Sequence, residues 1–339
     1  MFAYDDRILM RIGCVVSTLF LLVTLCVCME FNIKEKNDGD DGNKHNEHLM
    51  VEGNTQVAAS DRVVVNLPAG VNEKNVVVRK SIVNKKINIE FPKGSRDFTQ
   101  ENVINNAAER IAVTTNVDNV SVNLDIRSDK YLDCELYFYS EKMYIDFFEP
   151  CDVEGIVIVL DPGHGGDDVG AVRNNFYEKD IDLNVCRELM EMLQKENIRV
   201  YCTRYLDEYP TVEERVDFSN AVQPDMFISI HSNWGENSEV SGTSVLYNTK
   251  DANQFGSSWI SNVMSEEVSK AAGLKNLGIV KGNDIHIVRN SKAPVALIEM
   301  GFMSNDSDIK LLTSEEGQKK IAQGIYNGII RGLTELGKY

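Results

Sequence analysis

Three histidines lie in the second half of this chain, His164, His231 and His286, and two of them stand where an apolar run stops. Ile156 to Leu160 runs straight into Asp161-Pro-Gly-His164-Gly-Gly166, so a buried strand is expected to deliver one imidazole to an open rim. Glycines on both sides of that histidine let the backbone take positive φ and let another group come close. His231 follows Met226-Phe-Ile-Ser-Ile230 in the same way. Two carboxylates hold matching positions: Glu178 opens a helical pattern, and Glu299 follows Val295-Ala-Leu-Ile298. Singly, each has an ordinary explanation. A histidine at a strand end is commonly a hydrogen-bonded rim residue, and an acidic residue is favoured in a first helical turn. Together they point to one site. Two neutral imidazoles and a carboxylate are a common ligand set for catalytic zinc, with one further position left for water. Zinc so held activates water and polarises a carbonyl, while a second carboxylate outside the coordination shell moves the proton. Glu299, held on the same rim against hydrophobic walls, suits that second role. The chemistry expected is metal-assisted hydrolysis of an amide.

Positioning such a site takes strands that end together. From Gly155 onward, strands alternate with helical patterns. Ile156–Leu160, Arg199–Thr203, Asp225–Ile230, Val245–Tyr247 and Ala296–Ile298 read as strands. Glu178–Glu196, Val212–Asn220, Ala252–Ala272 and Ser314–Leu336 read as helices, the first with Ile181, Val185, Leu189 and Leu193 at helical spacing. This predicts an α/β fold with a mostly parallel sheet flanked by helices on both faces, spanning residues 155–339. Its ligands should lie at the carboxyl ends of the strands. Residues 60–150 instead show short alternating runs: Val63–Leu67, Asn75–Arg79, Lys86–Phe91, Val120–Ile126, Glu135–Tyr139 and Met143–Phe148. Several short strands without a helical period imply a small all-β sandwich. Glu101 to Arg110 has room for one or two helical turns.

Residues 1–30 have a different character. Arg7 and Arg11 precede Ile12 to Met29, a run without charge that approaches the ~20 residues needed to cross a bilayer. Arginines before the run predict a cytoplasmic N-terminus. A cleaved signal peptide is the alternative, but Thr24-Leu-Cys-Val-Cys-Met-Glu30 offers no small-x-small cleavage pattern. The expectation is a transmembrane anchor with the rest of the chain outside the cell membrane; secretion to the wall is the other outcome. Residues 31–59 form a polar tether that cannot bury enough surface to fold. Four cysteines follow the apolar run. Cys134 and Cys151 are plausible bridge partners flanking two strands, whereas Cys186 and Cys202 read as buried thiols. The net charge of −17 on 339 residues excludes nucleic acid as a natural partner, because phosphate binding needs a basic face.

The chain from Ile156 to its C-terminus resembles the zinc-dependent N-acetylmuramoyl-L-alanine amidases of bacterial cell walls, the amidase type 3 catalytic domain. The matching segments, in the family's order, are Leu160-Asp-Pro-Gly-His-Gly-Gly166, Glu178-Lys-Asp180, Thr203-Arg204, Glu214-Arg-Val-Asp-Phe-Ser-Asn220, Ser229-Ile-His-Ser-Asn233 and Ala293 to Asn305. The resemblance implies zinc ligands at His164, Glu178 and His231, with Glu299 as the catalytic carboxylate. It implies peptidoglycan as substrate, cut at the amide between the lactyl group of N-acetylmuramic acid and L-alanine. Residues 60–150 resemble, in strand pattern and position, the AMIN-type β-domains that precede such catalytic units. Asn233 and Arg289 are candidates for touching substrate. Arg204, Arg215 and Asn220 are expected to tie helices to strand ends. His286 is expected to alternate outward on a strand, and Asp167 and Asp168 to sit in a solvated loop rather than among the ligands. A catalytically silent wall-binding or regulatory protein of the same fold is the alternative, and a related peptidase cutting another amide is a second. The need for a protein activator is left open.

Overall fold

The computed structural model describes residues 61–339 apart from 93–94, 96–102, 117–119 and 252. The apolar run Ile12–Met29 and the tether lie outside these residues; among the described ones, no helix is long and apolar enough to cross a membrane. Contacts divide the chain into two units, one ending at Asp152 and one running from Val153 to Tyr339 together with Ser81–Asn84.

The first unit is all β. Strands β1 (Arg62–Asn66), β4 (Val103–Asn105), β7 (Asp133–Tyr139) and β8 (Lys142–Phe148) form one four-stranded sheet in the order β4-β1-β8-β7. Strands β2 (Val77–Ser81), β3 (Lys86–Glu90), β5 (Ile111–Asn116) and β6 (Ser121–Ile126) form another, ordered β2-β3-β6-β5. Both give alternate side chains to one core, Val63, Val65, Met143 and Ile145 from the first and Ile87, Ile89, Val122 and Leu124 from the second. Period-2 burial of this kind makes a sandwich. Two expectations are corrected here. Where Glu101–Arg110 had room for helix, Val103–Asn105 pairs antiparallel with Val63–Val65, because β-branched residues gain more from that ladder than from an isolated turn. Cys134 is buried and Cys151 exposed, both as free thiols, so the bridge between them is not made.

The second unit is α/β. Its six strands are β9 (Ile156–Pro162), β12 (Ile198–Cys202), β13 (Met226–Asn233), β14 (Thr243–Tyr247), β15 (Asn276–Lys281) and β16 (Val295–Phe302), ordered β12-β9-β13-β16-β14-β15. The sheet is mixed: β14 runs antiparallel to β16, while the other neighbours are parallel. Helix α1 (Glu178–Leu193) contacts α6 (Glu315–Glu335), which packs on α3 (Ser257–Ala272). Helices α2 (Val212–Val222) and α4 (His286–Asn290) pack on each other and on β9 and β16. Near-continuous burial along β9, β13 and β16 follows from helices covering both faces. A hairpin of β10 (Val172–Arg173) and β11 (Phe176–Tyr177) leads into α1, and α5 (Asp306–Thr313) follows β16. His286 opens α4 rather than a strand. The reason is burial of the adjacent Ile287 and Val288 with Ile285 left exposed, which one face of a strand cannot provide.

Candidate functional site

The central strands β9, β13 and β16 run parallel, so their carboxyl ends open on the same edge of the sheet. His164 follows β9 by two residues, His231 lies near the end of β13, and Glu299 is its register partner on β16. Glu178 is the first residue of α1, delivered from the opposite side by the β10–β11 hairpin. Helix α1 forms because Glu178 and Asp180 occupy its first turn and Ile181, Val185, Leu189 and Leu193 are buried along one stripe.

Three of the four predicted residues converge closely. His164 Nε2 is 3.2 Å and His231 Nδ1 is 3.1 Å from Glu178 Oε1, and all three ligand atoms lie within 4.8 Å of one another. The two imidazoles meet edge-on, 5.0 Å between centroids. Two ring nitrogens and a carboxylate oxygen this close together could hold a metal ion. Burial by itself would push the Glu178 carboxyl up. Hydrogen bonds from His164 and His231 more than reverse this, holding it well below the usual carboxylate range. Backbone amides complete the cradle: Ser232 N–H donates to Oε1 at 3.1 Å and Ala171 N–H to Oε2 at 2.8 Å.

The histidine loop is shaped by its backbone. His164 itself has φ 56°, a left-handed conformation that bulky residues seldom take and that is found at functional sites. Gly163 lies under the His231 ring; a Cβ there would sit 2.3 Å from His231 Cε1. Gly170 (φ +65°) leaves room for Glu178 and His164, whose atoms a Cβ would meet at 2.6–2.7 Å. Asp168 Oδ2 lies 2.9 Å from His164 Nδ1, so the carboxylate orients the ring from behind and leaves Nε2 to face Glu178. Sequence alone puts Asp168 in a solvated loop. Its role depends on the turn closed by the Gly165–Asp168 bridge, for which the Gly-Gly pair is the only local signal.

Beneath the loop is a buried ionic network. Asp161 is fully buried and accepts hydrogen bonds from Thr203 Oγ1 at 2.6 Å, Ser229 Oγ at 2.7 Å and Arg215 Nη1 at 2.9 Å. Arg215 also donates to the carbonyls of Pro162 and His164, and Arg204 to those of Pro162, Gly163 and Lys179. Asn220 binds the backbone of Asn290 and Lys292, fastening α2 to the segment before β16. These are the ties expected of the three residues.

Glu299 is set apart from the donor group. Its Oε2 is shut off from solvent and has no hydrogen-bond partner among the described residues. Burial pushes its carboxyl up to about 7, with His231 opposing and Glu178 adding to the rise. A second carboxyl, Asp182, lies fully buried one turn along α1 from Glu178 and accepts from Ser232 Oγ at 3.1 Å. Burial and the nearby Glu178 charge raise it well above the ordinary range. Asn233, at the end of β13, accepts from Trp234 N–H through its side chain. Arg289 is exposed on α4, with its guanidinium bonded to the carbonyl of Asn283. His286 faces Glu213 of α2, 3.9 Å away.

An α/β sheet carrying at its strand ends a His-Glu-His group that could hold a metal ion, beside a carboxyl raised toward neutrality, has the construction of a hydrolase site. Residues 158–331 match the family model described as N-acetylmuramoyl-L-alanine amidase, and the chain belongs to that family. It is 38% identical over 177 residues to the uncharacterised YqiI protein of Bacillus subtilis, covering 52% of this chain and 84% of that one. It is 32% identical over 199 residues to the germination-specific N-acetylmuramoyl-L-alanine amidase of the same organism, covering 55% and 83%. Among solved structures, the catalytic domain of CwlV, an N-acetylmuramoyl-L-alanine amidase from Bacillus (Paenibacillus) polymyxa, superposes with a TM-score of 0.50 at 32% identity, over 54% of this chain and 99% of that one. The protein is thus a hydrolase of the amide bond between N-acetylmuramic acid and L-alanine in cell-wall peptidoglycan.

Proposed function

We propose that this amidase is zinc-dependent, with His164, Glu178 and His231 as the protein ligands and Glu299 as the catalytic carboxylate. The convergence of three donors beside a half-buried carboxyl whose Oε2 is shut off from solvent and unpartnered is the observation that carries this reading. Zinc in a site of two histidines and one carboxylate lowers the pKa of a bound water toward about 7 and polarises a carbonyl oxygen. The chain's own groups do the rest. Asp168 and the Ser232 and Ala171 amides fix the rings and the Glu178 carboxylate before substrate arrives. Glu299, poised near neutrality by burial, takes the proton from the attacking water and returns it to the nitrogen of the leaving L-alanine. Asn233 and Arg289 are proposed to border the bound substrate.

Ile12–Met29 is proposed as an uncleaved anchor, with residues 31–59 as a tether and both folded units outside the membrane, within reach of the wall. The all-β unit is proposed as an AMIN-like accessory domain; its paired four-stranded sheets support that reading.

Chelation should abolish release of stem peptides from purified peptidoglycan, and added zinc should restore it. His164→Ala and His231→Ala should lose both metal, by elemental analysis, and activity. Glu299→Gln should retain zinc yet lose turnover by about 10²–10⁴-fold. A Glu299→Gln protein that digests peptidoglycan at the normal rate overturns the assignment. Products bearing free lactyl groups and N-terminal L-alanine, seen by mass spectrometry, identify the bond cut.

A further inference from the structure

The chain has two tryptophans, and they are used in opposite ways. Trp259 is engaged: its Nε1–H donates to Glu335 at 2.6 Å and its ring meets Phe255 edge-on at 5.2 Å. Trp234, three residues past His231, is 52% exposed, although the backbone on either side of it is pinned. Asn233 O accepts from Met303 N–H at 2.7 Å, and Gly235 N–H donates to Ser304 Oγ at 3.0 Å. Gly235 also lies so close to the Phe302 ring that a Cβ there would stand 3.3 Å from it. A fixed backbone that holds a large apolar ring in water withholds burial the fold would otherwise gain, which marks a binding surface rather than a loose loop.

The ring does not stand alone. The β10–β11 hairpin, which ends in the donor Glu178, exposes Val172, Phe176 and Tyr177. Its Arg173 donates to Met303 O at 2.9 Å, so the backbone of Met303 holds the hairpin from one side and Asn233 from the other. Exposed apolar residues therefore follow His231 on one element and precede Glu178 on another, and both elements are fastened to Met303.

Charge decides which part of the substrate this surface suits. Ser232 to Val240 contains Glu236 and Glu239 and no lysine or arginine. On the hairpin side, Arg173 is paired with Asp306 and Lys179 with Asp207. Stem peptides carry carboxylates, which such a flank repels. The glycan is uncharged where its lactyl groups are amidated, and a pyranose presents a C–H face that an indole can cover. We propose that Trp234 is a specificity-determining residue whose exposed indole stacks on a sugar ring of the glycan strand while the scissile amide lies at the His164–Glu178–His231 group. This rests on the site assignment proposed above.

The test uses the full-length, zinc-loaded protein and two probes: glycan strands stripped of stem peptides with their lactyl carboxyls capped as simple amides, and a free stem peptide beginning with L-alanine. Glycan strands should produce a saturable change in tryptophan emission that survives in Trp259→Phe and vanishes in Trp234→Phe, while the peptide produces none. On intact peptidoglycan, Trp234→Ala should raise KM about tenfold, equivalent to ~1.4 kcal/mol, and lower kcat less than about threefold, with Trp234→Tyr recovering most of the loss. An unchanged KM in Trp234→Ala, an emission response that persists in Trp234→Phe, or a response to the peptide and not to the glycan each overturns the inference. Wild-type protein that fails to cleave peptidoglycan with zinc bound defeats the site assignment instead.

Discussion

At the scale of single residues, the buried Asp161–Arg215 pair shows how a charge far from solvent is kept because it holds the site. Burial raises the Asp161 carboxyl, but the Arg215 charge and hydrogen bonds from Thr203, Ser229 and Arg215 outweigh it, so the net shift is downward from the ordinary 3.8. The stabilisation is therefore fully present above about pH 3.8 and is lost as pH falls through the still lower native value. Asp161→Asn leaves Arg215 buried without its counter-charge and should cost about 3–5 kcal/mol at neutral pH in denaturant unfolding. The gap between wild type and variant should then narrow on acidification below 3.8, where the unfolded wild-type chain takes up a proton that the native carboxylate still refuses. A gap of constant size from pH 6 to pH 3 would show that the charge itself contributes nothing. The same residue scale explains what the sequence made visible. His164, His231 and Glu299 each end or nearly end a long apolar run, and Glu178 opens an amphipathic helix, so local pattern singles out all four as candidates, three of which the fold brings together. Asp168 is not legible in the sequence, because its contact with His164 arises from a left-handed residue and a closed turn that no periodicity encodes.

Among elements, the packing of α6 on α3 sets two effects of glycine against each other. Ile321, Ile325, Ile329 and Leu333 give α6 its legible buried stripe, and the helix is found close to where that spacing put it. Gly324 interrupts good helical propensity, yet a Cβ there would lie 2.7 Å from the Val268 Cα and 2.9 Å from the Glu267 carbonyl oxygen. Alanine in a helix interior gains about 0.8–1.0 kcal/mol over glycine, whereas overpacking against an unyielding backbone costs about 1–3 kcal/mol. The backbone contact should win, so Gly324→Ala lowers the urea midpoint. Gly328→Ala should be milder, since the nearest atom is the Met264 sulfur, which can swing away. If Gly324→Ala proves the more stable protein, the two helices do not approach as closely as these distances require. The short or interrupted strands that sequence pattern does not reveal share one cause. Strand β4 has three residues and β10 and β11 two each, too short for a period to register. Strand β15 is interrupted by Gly278 and pairs with β14 across the whole of α3. Their existence depends on partners distant in sequence, and the antiparallel β14–β16 pairing, which makes the sheet mixed, is a register choice of that same kind.

For the whole molecule, net charge governs how the enzyme meets its substrate. Asp and Glu outnumber Lys and Arg by 52 to 35, a formal −17. Bacterial walls that carry phosphate-bearing polymers are themselves anionic, so an acidic hydrolase approaches its substrate against a repulsive field. That field keeps the enzyme from adsorbing along the polymer, and it is set by ionic strength. The Debye length shrinks from about 30 Å at 0.01 M salt to about 8 Å at 0.15 M, shorter than a small domain is wide. On walls retaining their anionic polymers, KM should fall as salt rises through that range, while kcat, on the proposal that His164, Glu178, His231 and Glu299 do the chemistry at short range, stays nearly constant. Walls stripped of those polymers by acid should show a much flatter dependence, because only the stem-peptide charges are left to screen. A KM that rises with salt on native walls would mean that attraction, not repulsion, governs the encounter. In that case a local cationic surface, rather than the net charge, would have to guide the enzyme to the wall.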